Sequence, residues 1–204
     1  MLARMKARRR AGPHDAALAT PEPNSQPRAP QMDTALLPSA PLDAGLLVLR
    51  LALGLYMAAH GAQKLFGWFG GHGLNATGEF MVQLGFKQGR TFATLASVTE
   101  VASGLLVALG FLGPIGPALM VSVMIVAAVT VHLKNGAFAQ NGGIEVPVLY
   151  GVGALALGLT GPGRYSLDAI LGLAPLSTPG VELAALAMGI VGGIGSLAVR
   201  RTAQ

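Results

Sequence analysis

The chain has 204 residues, of which 52% are hydrophobic and only 11% charged, whereas soluble domains carry about 25% charged residues. This balance excludes a soluble globular enzyme, and the complete lack of cysteine excludes disulfides, thiol redox chemistry, c-type haem attachment and cysteine-ligated iron–sulfur clusters. The net charge of +5 does not point to nucleic acid, because six of the 14 basic residues fall in the first 28 and the rest scatter around predicted helix ends.

Residues 1–41 form a polar leader with prolines at 13, 21, 23, 27, 30, 38 and 41. Such a segment cannot bury enough apolar surface to offset its ordering entropy, so it is expected to be disordered. Arg8, Arg9 and Arg10 have the look of an export signal, but no apolar core follows closely, as such a signal requires. Met32 opens a shorter start, MDTALLPSAPLDAG, so the first 31 residues read as a mis-called extension.

Five apolar spans follow, at about 44–66, 91–112, 114–133, 144–160 and 180–199, the last closed by Arg200 and Arg201. Each approaches the ~20 residues that a membrane-crossing helix needs. Pro41 and Asp43 stand where the first helix would take a breaker and an acidic cap. Short connections, such as residues 110–117, make successive spans antiparallel. The predicted fold is all-α: a membrane-embedded antiparallel helix bundle, with a four-helix unit over 42–169 and a fifth transmembrane helix with a short basic tail over 170–204. Small residues four apart let helices approach closely in lipid. Gly54 and Ala58, then Ala93, Ala96, Ser97, Glu100, Ser103 and Gly104, then Ala185, Gly189 and Gly193 are the predicted contact stripes.

The ionisable groups divide between two membrane faces. His60 and Lys64 are four apart near the end of the first span and share one helix face. Glu100 enters the second span from the same face, ~14 Å deep at 1.5 Å per residue. His132 and Lys134 end the third span on that face, and Glu145 starts the fourth. Arg50 lies ~15 Å from His60 along the helix and faces the other side. There Asp168 is the expected partner in a structural ion pair, with Asp43 nearby. Each group also has a plainer reading: Lys64 snorkels, His132 caps its helix, and Phe66, Trp68 and Phe69 form an interfacial aromatic belt. Glu100 is the hardest to set aside, since a carboxylate at that depth calls for a cation or a proton. It is expected to meet His60 or Lys64 on the floor of a polar pocket roofed by residues 66–73.

At HGAQKLFGWFGGHG, TEVASGLLVALGFLGPIG, VHLKNGAFAQNGGIEVPVLY and GPGRYSLDA the chain resembles the DoxX family of small bacterial membrane proteins. The resemblance covers about residues 46–169 and leaves out the fifth span and the leader. It implies a multi-pass protein of the bacterial inner (plasma) membrane, and matching positions at His60, Lys64, Trp68, Glu100, His132, Glu145 and Asp168. The family is named for a membrane subunit of a thiosulfate:quinone oxidoreductase. The resemblance therefore implies an oxidoreductase subunit with partner subunits, in contact with a quinone, rather than a complete enzyme. On this reading Glu100, His60 and Lys64 are the proton-relay and quinone-contact candidates, and His60, Lys64, Trp68, Gly70, His132 and Glu145 surround the ring. Gly67, Gly70 and Gly71 would let it approach the backbone. No flavin or nicotinamide fingerprint is present, no metal site is read, and no intrinsic cofactor is expected. The residues alone leave three other readings open: a non-catalytic membrane scaffold, a small proton-linked transporter, and a b-type haem between His60 and His132. Basic residues are nearly balanced between the two faces, so the positive-inside count does not orient the chain.

Overall fold

The computed structural model describes residues 39–200. The expected disordered leader and the 1–31 extension therefore lie outside the described residues, except for 39–41. Those three are not leader: they open the first helix, α1 (Ser39–Phe66). Pro41 sits in its first turn, where a missing N–H costs nothing. Asp43 lies inside the helix rather than capping it, and its Oδ1 accepts from the Arg164 amide at 2.9 Å.

After α1 come α2 (Gly73–Gln83), α3 (Gly89–Leu109), α4 (Ile115–Ala127), α5 (Glu145–Thr160), the short α6 (Leu167–Leu171) and α7 (Pro179–Ala198). Among the described residues there is no strand. Four helices are long and apolar enough to cross a membrane, and α5 is a shorter apolar helix of 16 residues. The chain is a multi-pass membrane protein. Two elements were not read from the sequence. One is α2, inside what looked like a loop, and the other is α6, in GPGRYSLDAI.

The predicted small-residue stripes are the packing surfaces. A Cβ on Gly54 would meet the Gly104 carbonyl at 2.5 Å, one on Gly104 would meet the Ala58 amide at 2.4 Å, and one on Gly61 would meet the Ser97 carbonyl at 2.7 Å. These pairings descend along α3 as they climb α1, so the two helices are antiparallel with their backbones nearly touching. On α7, a Cβ on Gly189 would meet the Ala118 carbonyl at 2.3 Å and one on Gly193 the Ser122 carbonyl at 2.9 Å. Here both numbers rise together, so α7 runs parallel to α4 and lies on its outer side. Met57, Val107, Met120, Val121, Met124, Ala154, Leu157 and Leu186 fill the centre among α1, α3, α4, α5 and α7. Large apolar side chains such as Tyr56, Leu95, Leu149, Met188 and Val191 face outward, as lipid contact requires. Phe66, Trp68 and Phe69 are exposed together on one turn, with the Phe66 and Trp68 rings 4.9 Å apart, which suits the interfacial belt.

Candidate functional site

A cavity of about 200 Å³ lies among four helices. Met57, His60 and Lys64 line it from one face of α1, and Glu100 from the buried stripe of α3. Met124, Ala127 and His132 line it from α4 and its continuation, and Val146, Pro147 and Tyr150 from the first turns of α5. All three relay candidates and His132 therefore meet at one site.

Its polar centre is the ion pair between Lys64 Nζ and Glu100 Oε1. Glu100 is only 1% exposed. Of the two expected partners, it is Lys64 and not His60 that holds it. The reason is reach: from one turn further along the same face, the long lysine side chain covers the distance back to Glu100. Glu100 Oε2 is buried with no partner.

Both histidines are held through Nδ1 by a group nearby in the chain. His60 Nδ1 is 3.2 Å from Gln63 Oε1, and Gln63 Nε2 donates to the Phe69 carbonyl at 3.1 Å. The His60 ring also stands edge-on to Tyr150, with centroids 6.1 Å apart. Nδ1 of His132 donates to the Gly142 carbonyl at 2.7 Å, and Asn135 Nδ2 reaches the same oxygen at 3.2 Å. The position of His132 depends on a π-helical turn, Ala128–His132, that continues α4. In an uninterrupted helix, a residue eight positions after Met124 would sit about 80° away from it around the axis. The wider turn absorbs one residue and brings His132 onto the Met124 face, where Val131 would otherwise lie.

Three of the expected cavity residues are elsewhere. Trp68 is exposed on the aromatic turn. Gly70 lines a second recess of about 420 Å³, with Gln63, Lys64, Gly71, His72 and Thr77. Glu145 accepts from the Ala139 amide at 2.7 Å and closes the loop between α4 and α5. The predicted roof formed by residues 66–73 thus belongs to the outer recess, which Gly70, Gly71 and His72 line, while α5 closes the cavity itself. Gly71 is packed rather than open, because a Cβ there would meet the Gln63 carbonyl at 2.2 Å. Lys64 lines both spaces and Glu100 only the inner one. Sequence reasoning missed Tyr150 and Gln63. The signal for Gln63 was its place three residues after His60, and for Tyr150 it was an aromatic ring with a polar handle inside an apolar helix.

At the other end of the bundle the expected Arg50–Asp168 pair is indirect. Arg50, 2% exposed, donates from Nη2 to the Tyr165 carbonyl and packs against Gly110. The Asp168 carboxylate instead accepts from the amides of Leu112, at 2.9 Å, and Gly113, at 2.6 Å. No direct ion pair joins it to the guanidinium among the described residues. Both its oxygens are taken by a connection in which Leu112 itself has φ 61°.

A family model described as DoxX matches residues 45–133. Over this segment, which is under half of the 204 residues, the chain is similar to the DoxX family. No curated protein and no solved structure matches it. The DoxX segment contains His60, Lys64, Glu100 and His132, and ends at the residue after the π turn. Glu145, Tyr150 and Asp168 lie beyond it, so the wall that α5 adds to the cavity comes from outside the DoxX match.

Proposed function

We propose that this protein is a membrane subunit of a quinone-linked redox complex, and that the cavity between α1, α3, α4 and α5 receives the quinone ring. The observation that carries this reading is a buried Lys64–Glu100 pair on the wall of an apolar cavity that also holds His60, His132 and Tyr150. A space of about 150 Å³ accepts a benzene ring, and drug-sized ligands need about 300 Å³ or more. About 200 Å³ therefore suits a single substituted ring whose tail stays in the bilayer.

Reduction of a quinone takes two electrons in all and adds one proton to each of its two carbonyl oxygens. In this reading the electrons come from a redox group in a partner subunit, since the chain carries no dinucleotide fingerprint. This chain supplies the protons. Lys64 touches the outer recess on one side and Glu100 on the other, so the pair connects the membrane surface with the ring site.

Ala127 lies on the cavity wall without a polar role. Ala127→Phe fills the space and leaves every polar group in place. Protein purified gently from native membranes should carry quinone, measurable by extraction and chromatography, and the Ala127→Phe protein should carry at least tenfold less. Equal quinone content in the two would sink this reading, and the partner that co-purifies with the wild-type chain identifies the electron source.

A further inference from the structure

The cavity's hydrogen-bonding groups have a polarity, and it follows from the partners they already hold. Gln63 Nε2 donates to the Phe69 carbonyl, so Oε1 is the atom that faces His60 Nδ1. An amide oxygen only accepts, so His60 carries its proton on Nδ1. In the neutral ring Nε2 is then left as an acceptor. His132 has the same arrangement, because Nδ1 lies against the Gly142 carbonyl, which cannot donate. Glu100 Oε2 is a third acceptor, and it is buried without a partner, since Oε1 holds the Lys64 ammonium. A carboxylate paired in this way only accepts. Against these three acceptors stand the remaining N–H groups of Lys64 and the Tyr150 hydroxyl, which can act either way.

We infer that the cavity takes its ring in the reduced, dihydroxy form, binding a hydroquinone in preference to the corresponding quinone. This rests on the quinone reading above and adds the redox state that the site selects. A hydroquinone brings O–H donors to a site whose buried Glu100 Oε2 has no partner and whose lining includes both histidines. A quinone brings only carbonyl acceptors and leaves Glu100 Oε2 without a partner, an arrangement that buried polar groups resist. Tighter binding of the reduced form also makes the bound quinone a stronger oxidant than the free one. A tenfold preference raises the potential of the bound two-electron couple by about 30 mV.

The test is anaerobic titration calorimetry of the full chain in lipid nanodiscs with three short-tailed probes: a benzohydroquinone, its quinone and its dimethyl ether. The hydroquinone should bind at least tenfold more tightly than the quinone. The dimethyl ether keeps the ring but has no O–H, and it should bind no better than the quinone. Glu100→Gln places an amide where the open acceptor stood and should reduce the preference to under threefold. Quinone binding as tight as hydroquinone binding, or ether binding as tight as hydroquinone binding, overturns the inference and leaves the quinone reading standing. Binding of none of the three overturns the quinone reading and the inference with it. The wild-type comparison decides between these outcomes without any variant.

Discussion

The Lys64–Glu100 pair is unequal in a way that mutation exposes. Glu100 is buried, whereas the Lys64 side chain is 35% exposed. Breaking a fully buried pair by removing one partner costs about 3–5 kcal/mol, because the other charge is left uncompensated. The partial exposure of Lys64 lowers that figure here through solvent screening. Removing the lysine strands a carboxylate in the interior, while Glu100→Gln removes the buried charge itself and leaves an ammonium that can turn to the outer recess. Lys64→Met should therefore lower the thermal stability of the purified protein more than Glu100→Gln does. Adding Glu100→Gln to Lys64→Met should recover part of the loss. A double variant less stable than Lys64→Met alone would show that the two side chains are not coupled through charge.

Among the helices, the α1–α3 contact is the tightest constraint on the site. It sets the rotation of α3 and so aims Glu100 at Lys64. Gly104 sits one turn beyond Glu100 on the same stripe, with the Ala58 amide where a Cβ would be. Overpacking a well-filled interface costs about 1–3 kcal/mol, and here the obstruction is backbone that cannot rotate away. Gly104→Ala should lower stability by about that amount, read from thermal melts in one detergent, and should weaken ring binding because the helices move apart. Gly45 is the control, since nothing lies within 4 Å of a Cβ there. Equal melting temperatures for Gly104→Ala and Gly45→Ala would mean that the close crossing is not what holds α1 to α3.

Across the whole molecule the site and the outermost helix are separate. None of the cavity's lining residues comes from α7, which contacts α4 through Gly189 and Gly193 on the opposite side. The α4 helix is therefore held between the cavity and α7. Gly189→Leu drives a side chain into the Ala118 carbonyl and should cost about 1–3 kcal/mol by the same overpacking argument. Because the damage falls outside the cavity, hydroquinone affinity measured below the melting transition should stay within twofold of wild type. A tenfold loss of affinity in that variant would show that α7 shapes the site through α4.

Composition and hydropathy determined the class of this protein before any fold was known: a helical membrane bundle with small-residue stripes as its contacts. These are local properties. A run of apolar residues spans lipid whatever its neighbours do, and a glycine four residues from an alanine lies on one helix face in any context. Glu100 stood out for the same reason, because the cost of a carboxylate at that depth does not depend on its partner. Which groups meet was decided only in three dimensions. His60 and Lys64 share one helix face, yet the longer reach of Lys64 took the carboxylate. His132 enters the cavity because of a π turn that spacing does not reveal, and Glu145 leaves it because its loop needs a closing acceptor. Asp168 stands beside Arg50 but spends both oxygens on the amides of Leu112 and Gly113. Partner choice depends on helix rotation, side-chain reach and the backbone groups each connection leaves unsatisfied, and those are set only when the helices pack.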